Sequence, residues 1–403
     1  MMTSQPLDLR RRLLLPQAGS RTRTLLVAIA WLVPLMLALP IWQGIGELAF
    51  DFRGTLWQPA LDVLHGNSPY PALRLEAIDG GNPSVYPPPV ILAAVPLAVL
   101  PFPLAAALWM AFLAASVAAA LWILGVRDVR CYSLAIPSAP VATGLIFGNV
   151  TLLLVLAAAV AWRFRRSTWL LAAAVGGGIL VKFLLWPLVV WLLATRRYRA
   201  ALASCAGAAL ATLLAWAAID FAGLRTYPRL LSLVSNLYGP HSWSLVAGGA
   251  GLGLGTADAE RFAFGIGAAV LVLAIVLARR EDGDRRSFIA ALCSAILLSP
   301  IVWPYYFVLM LVPVAILEPR FGRLWMIPAA FWLMAFVPAP KSECCRPPDV
   351  SAGIWHTLHS PPAVGQVIGH TVLLLAVLAA GVAASRRPFL AATRTGELGV
   401  SAP

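Results

Sequence analysis

A chain of 403 residues has room for two or three soluble domains, but 60% hydrophobic and 12% charged side chains leave too much apolar surface for a soluble fold. The net charge of +13 gives no sign of a nucleic-acid partner, because Lys and Arg fall in short clusters between apolar runs, as at the inner face of membrane proteins. The reading is an all-α polytopic membrane protein whose partners include membrane lipids and not nucleic acid. Among the five cysteines no CxxC or Cys/His spacing occurs, so no metal site is expected; Cys344-Cys345 fits either a disulfide or two thiols.

Residues 1–24 are basic and are expected in the cytoplasm. Residues 25–45 form the first span, with the length of a crossing and no signal-peptide cleavage site. The first outer loop, 46–87, holds Phe52, Leu56, Ala60, Val63 and Leu64 at helical spacing, which predicts a helix lying on the membrane surface. Gly66-Asn67-Ser68-Pro69-Tyr70 should end it in a turn. Tyr86-Pro87-Pro88-Pro89 then opens a short span to Leu100, Pro101-Phe102-Pro103 reads as a cytoplasmic turn, and a return span reaches Val126. Arg127-Asp128-Val129-Arg130 is thereby expected outside.

Ser133 to Trp162 reads as one inward span, broken near its start by Pro137 and Pro140 and containing Gly148-Asn149. Arg163, Arg165 and Arg166 mark the inside. Residues 168–195 read as two short spans meeting near Lys182, because Arg196, Arg197 and Arg199 return the chain inside; Gly176–Gly178 would admit a neighbouring helix closely. Span 201–219 leads to a glycine-rich second outer loop, 220–262, and span 263–278 returns to Arg279 and Arg280. Residues 288–318 form a hairpin with an outer tip at Ser299–Tyr306. Residues 324–339 go out, a third outer loop covers 340–363, 364–384 return, and the tail 386–403 is cytoplasmic. The sum is about twelve spans in a single transmembrane domain over 25–385.

On this map Asp51, Lys182, the glycine-rich loop and the Trp303–Tyr306 tip share the outer face, so any chemistry belongs there. A carboxylate at the mouth of a span is either a reactive group or the cap of the following helix. Lys182, a lone cation in an apolar run, either binds phosphate or snorkels to the interface; Arg53 and Arg74 are further phosphate-binding candidates. Trp303, Tyr305 and Tyr306 either contact a sugar or belong to the interfacial aromatic belt. His241 and Trp243 are candidate substrate contacts, and Asp62, Glu76 and Asp79 read as ordinary loop carboxylates. His356 and His359 stand at i, i+3 without further ligands, which argues against a metal. No Asp-x-Asp motif lies near Asp51, and no glycine-rich phosphate loop follows a strand.

Several blocks together resemble glycosyltransferase family 87. They are Asp51-Phe52 with Trp57; His65-Gly66-Asn67-Ser68-Pro69-Tyr70; Tyr86-Pro87-Pro88-Pro89 with Pro96 and Leu100-Pro101; Phe147-Gly148-Asn149; Lys182-Phe183-Leu184-Leu185-Trp186-Pro187; and Leu298-Ser299-Pro300-Ile301-Val302-Trp303. They occur in family order from residue 47 to about 310. The chain departs from the family in carrying Pro304, Tyr305 and Tyr306 where histidines are often found.

The resemblance implies a GT-C membrane fold and transfer of a hexose, mannose foremost, from a polyprenyl-phosphate sugar to a lipid or glycan acceptor. Transfer would invert the anomeric centre at the extracytoplasmic face of the plasma membrane, with Asp51 as general base. Donor phosphate would lie near Lys182, Arg53 and Arg74. Trp57, Tyr70, Tyr86, Asn149, His241, Trp303, Tyr305 and Tyr306 would contact substrate. No cofactor and no metal are expected, since a cationic side chain can balance the single charge of the leaving phosphate. The alternatives are a polyprenyl-phosphate pentose (arabinofuranose) transferase of the same fold, a lipid-linked-sugar transporter, and a non-catalytic GT-C scaffold. Against the transporter stand the absence of inverted repeats and the sparseness of polar residues within the spans.

Overall fold

The computed structural model describes residues 48–73, 78, 82–336 and 362–384. The predicted span 25–45, both tails, Arg74, Glu76, Asp79, Cys344-Cys345, His356 and His359 lie outside the described residues. Among the described residues every regular element is helical and no strand occurs.

Chain leaving the predicted first span forms α1 (Phe50–Phe52), a π-helical turn (Arg53–Trp57) and α2 (Gln58–Leu64), which run on as one helix. Its apolar positions act as their spacing predicts: Phe52, Leu56 and Ala60 are buried on one side, while Leu64 is exposed. Gly66 then turns the chain in the left-handed region at φ 73°.

The next two elements differ from the sequence-based map. Helix α3 (Pro88–Ala98) has 11 residues, about 16 Å, or half of a bilayer's hydrocarbon thickness. It packs along α2 instead of crossing. Helix α4 (Phe102–Ile123) therefore starts on the same side as Asp51: the Phe102 ring stacks 6.5 Å from Phe52, meets Trp57 at 5.5 Å, and lies under the Arg53 guanidinium at 4.9 Å. Pro101-Phe102-Pro103 is not a turn at the opposite face. At the far end of α4, Arg130 lies over the Phe321 ring at 4.9 Å and the Phe321 amide donates to Asp128. Arg127–Arg130 thus belong with the basic turn at Arg320–Arg323, not with the outer loops. Hydropathy cannot distinguish a half-length helix packed on protein from one that crosses lipid, and that ambiguity misplaced the two turns.

The predicted single span from Ser133 to Trp162 is likewise three helices: α5 (Val129–Ala135), α6 (Ala139–Phe147) and α7 (Thr151–Arg163). The first two lead back from the basic end, and α7 returns to it. Gly148 ends α6 at φ 66°, with α1 so near that an added Cβ would stand 3.0 Å from Phe52 Cβ.

Helix α8 (Thr168–Val181) stops at Lys182, and a 3-10 turn (Phe183–Leu185) and α9 (Pro187–Ala194) follow. Both limbs have their basic ends at one place. Asp284 pairs with Arg165 at 3.3 Å and with Arg197 at 2.7 Å, and also accepts from the Trp191 indole at 3.0 Å. Lys182 is therefore the tip of a hairpin of two short limbs. In the glycine triplet, Gly176 meets the Ser204 backbone, where a Cβ would come within 2.9 Å of the carbonyl oxygen. That contact packs α8 on α10 (Tyr198–Ala218).

The predicted second outer loop is largely helical. α11 (Tyr227–Tyr238) buries Leu230, Val234 and Tyr238, one residue per turn. A short 3-10 turn (Gly239–His241) and α12 (Leu245–Gly251) lead into α13 (Thr256–Ala278). α14 (Gly283–Leu297) leaves the Asp284 cluster and is buried at every position from Ser287 to Leu297, forming the centre of the core. A 3-10 helix (Pro304–Met310) and α15 (Leu311–Leu317) run back to Glu318. A 3-10 turn (Arg323–Trp325), α16 (Met326–Ala330) and a 3-10 helix (Phe331–Phe336) lead out again. Finally α17 (Val364–Ala383) returns to the basic end, where the Ala384 carbonyl accepts from Arg285 and Arg286.

Among the described residues four helices, α4, α10, α13 and α17, are long and apolar enough to cross a membrane, with 20 to 23 residues each. With its apolar composition, the chain is a membrane protein. The shorter limbs cluster around one cavity, opposite the basic end.

Candidate active site

A carboxylate, an amide and an ammonium reach this cavity because three helical runs break beside it. Non-helical backbone at membrane depth is tolerated where it is buried in protein or lines a cavity. Asp51 stands at the start of α1, Asn149 in the break between α6 and α7, and Lys182 between α8 and its 3-10 turn. Tyr305 and Tyr306 come from the 3-10 helix after Trp303.

Asp51 is 8% exposed. Its Oδ2 accepts from Asn149 Nδ2 at 2.7 Å and from the Tyr305 hydroxyl at 3.0 Å, and its Oδ1 accepts from Asn82 Nδ2 at 2.8 Å. The predicted span ends before Asp51. Burial raises its pKa above the ordinary 3.8, outweighing the hydrogen bonds from Asn149, Asn82 and Tyr305 and the Lys182 charge, all of which favour the anion. Asp51 is not an N-cap of α1: the residue before that helix is Ala49, in the left-handed region at φ 59°, and no side chain caps it.

A short relay joins Asp51 to Lys182. Asn149 Oδ1 accepts from the Thr151 amide at 2.9 Å and from the Thr151 hydroxyl at 2.6 Å, which fixes the amide so that Nδ2 faces Asp51. Lys182 Nζ donates to Thr151 Oγ1 at 3.3 Å. The ammonium lies 3.7 Å from the Tyr306 ring centroid and 5.9 Å from that of Tyr86. A cation held on aromatic faces, with few hydrogen-bond acceptors, keeps donors available for an anion.

The cavity measures about 420 Å³, within the ~300–1,000 Å³ usual for small-molecule sites. Among its described lining residues Asp51 is the only carboxylate and Lys182 the only Lys or Arg. Tyr86, Asn149, Trp303, Tyr305 and Tyr306 also line it. Tyr305 and Tyr306 are 6% and 5% exposed, so they are interior residues and not part of an interfacial belt. Among the described residues no group of three or more His, Cys, Asp or Glu comes together.

Four predicted contacts stand outside the lining: Arg53, Trp57, Tyr70 and His241. Arg53 and Trp57 pack on Phe102. Tyr70 lies between Trp216 and Tyr227, and its hydroxyl donates to the Tyr86 carbonyl at 3.1 Å. Tyr227 donates likewise to Val85 at 2.7 Å and Tyr238 to Ile78 at 2.9 Å, so three tyrosines pin the segment that carries Asn82 and Tyr86 over the site. Arg74 lies outside the described residues.

Sequence reasoning passed over Asn82, Thr151, Gln366 and His370. Asn82 stands beside glycines and Pro83, and Thr151 opens an apolar helix, so neither carries a local signal of its role. Polar residues inside apolar runs were the one signal available for Gln366 and His370 on α17.

The family model described as glycosyltransferase family 87 matches residues 85–304 of the chain. The matched stretch holds Tyr86, Asn149, Thr151, Lys182 and Trp303; Asp51 precedes it and Tyr305 follows it. No curated protein and no solved structure matches.

Proposed function

The chain belongs to glycosyltransferase family 87 and is a membrane glycosyltransferase, and on that premise we propose that it transfers a hexose, mannose foremost, from a polyprenyl-phosphate sugar to a lipid or glycan hydroxyl. The cavity is proposed to face the extracytoplasmic side of the plasma membrane, within a GT-C architecture. The observation that carries the reading is the pairing of one carboxylate, Asp51, with one ammonium, Lys182, in the lining of a single cavity.

Asp51 accepts the proton of the acceptor hydroxyl as that oxygen attacks the anomeric carbon. The bond from the anomeric carbon to the phosphate oxygen breaks, and its electron pair leaves with the polyprenyl phosphate. Lys182 stabilises the charge gained by the leaving phosphate. A β-linked donor, as the family resemblance implies, gives an α-linked product by inversion. Asn149, Asn82 and Tyr305 hold the carboxylate in one orientation, so little reorganisation is needed at the moment of proton transfer. Lys182 supplies the positive charge that a divalent ion would otherwise provide, and the transfer is proposed to be metal-independent.

Purified protein in detergent, given labelled polyprenyl-phosphate mannose and a lipid extract as acceptor, should form labelled product. Nucleotide-linked mannose should give none, and EDTA should leave the rate unchanged. Product from the nucleotide sugar, or abolition by EDTA, would contradict the donor class or the metal-free mechanism respectively.

A further inference from the structure

One polar group in the cavity wall takes no part in this mechanism. His370 lies on α17 and is 4% exposed, enclosed by Phe307 at 4.9 Å, Phe331 at 5.1 Å and Trp243 at 6.5 Å between ring centroids. Its Nδ1 lies 2.7 Å from the Gln366 carbonyl oxygen. A carbonyl can only accept, so Nδ1 carries a proton, and Nε2 is then the acceptor of the neutral ring. Among the described residues Nε2 has no hydrogen-bond partner, and the residue lines the cavity.

A ring nitrogen that borders a ligand cavity without a protein partner is free to accept from a ligand's donor. The wall around it is aromatic: Trp243 packs on Trp303 with centroids 5.8 Å apart, and both line the cavity. An acceptor nitrogen beside aromatic faces matches a sugar ring, which offers C–H faces for stacking and hydroxyls as donors.

We infer that His370 Nε2 accepts a hydrogen bond from a ring hydroxyl of the sugar being transferred, making the Trp243–Trp303–His370 wall the donor-sugar subsite; this rests on the glycosyltransferase reading above. The donor sugar is favoured over the acceptor by burial. Phe331 and His370 line the cavity and are buried, and an activated sugar must be kept from water.

The test uses the full-length protein and donors lacking one hydroxyl at a time. Wild type should discriminate against the deoxy donor at one ring position by about 100-fold or more in kcat/KM, because that donor leaves Nε2 unpaired. His370→Phe keeps a flat ring in the aromatic shell but removes the acceptor. It should lose discrimination at that position alone, keep acceptor KM within twofold, and bind the intact donor about tenfold more weakly. His370→Gln, whose amide oxygen can accept, should recover part of that loss. Melting temperature of each variant separates misfolding from a binding defect.

A variant that discriminates among deoxy donors as wild type does, or whose defect falls on acceptor KM alone, would overturn the inference. Donor binding is read separately from turnover, by quenching of tryptophan fluorescence on titration with polyprenyl-phosphate mannose. Binding without transfer by wild type would refute the catalytic reading but leave the His370 contact measurable. Donor binding unaffected in His370→Phe would refute the contact and leave the catalytic reading standing.

Discussion

Asn149 Nδ2 donates to Asp51 Oδ2 at 2.7 Å, joining residues 98 positions apart in the chain. The bond exists because α6 ends at a left-handed Gly148 and α7 starts at Thr151, which leaves Asn149 in a gap facing α1. A hydrogen bond to a charged group contributes about 1.5–3 kcal/mol. Asn149→Ala should therefore lower kcat by roughly 10- to 150-fold. Because the bond orients the base and does not hold the donor, donor KM should change little; steady-state kinetics with varied donor checks this split.

Gly148 itself is the second test. A side chain there must adopt φ near 66° and push against Phe52 and Ala49. Gly148→Ala should destabilise the fold by about 1–3 kcal/mol, read as a lower melting temperature in detergent. Activity in the remaining folded fraction should fall too, because Asn149 is displaced with it.

The pH profile follows from the raised pKa of Asp51. The base works when ionised, so activity should fall as pH drops through the Asp51 pKa, with a midpoint above 3.8. Asn82 and Tyr305 donate to the anion and lower that pKa. Removing either donor, in Asn82→Ala or Tyr305→Phe, should move the acid limb of the kcat/KM profile to higher pH, by about one unit per 1.4 kcal/mol lost. A limb that moves to lower pH would contradict the assignment of Asp51 as the titrating base.

Lys182 and Tyr306 give a graded pair of variants. Lys182→Gln removes the charge opposite the leaving phosphate and should reduce kcat/KM by about 100-fold or more. Tyr306→Phe keeps the ring face under the ammonium and should remain near wild type. Tyr306→Leu loses about 0.5–2 kcal/mol of cation–π attraction, or roughly 2- to 30-fold in kcat/KM.

Much of the site was visible in the sequence because its residues break local rules. Asp51 and Lys182 are charges where charges are expensive, and Gly148-Asn149 interrupts an apolar run. Basic clusters also located the end where Arg165, Arg197 and Asp284 meet. What periodicity could not reveal was depth. α3 and α4 are equally apolar, yet one is a half-length helix packed on α2 and the other is long enough to cross a membrane. For the same reason, burial of Tyr305 and Tyr306 was hidden, since an interfacial aromatic and a cavity aromatic have the same local sequence. Asn82, Thr151 and His370 acquire meaning only through partners on other elements, which no spacing rule records.

The most direct test of the account compares wild type with Asp51→Asn in labelled-mannose transfer from polyprenyl-phosphate mannose, after both proteins are shown to be folded and to bind donor. The account predicts product from wild type, with donor binding retained and transfer reduced by about 100-fold or more in the variant. Equal transfer by both proteins would contradict it, and the proton acceptor would then have to be sought elsewhere in the cavity wall.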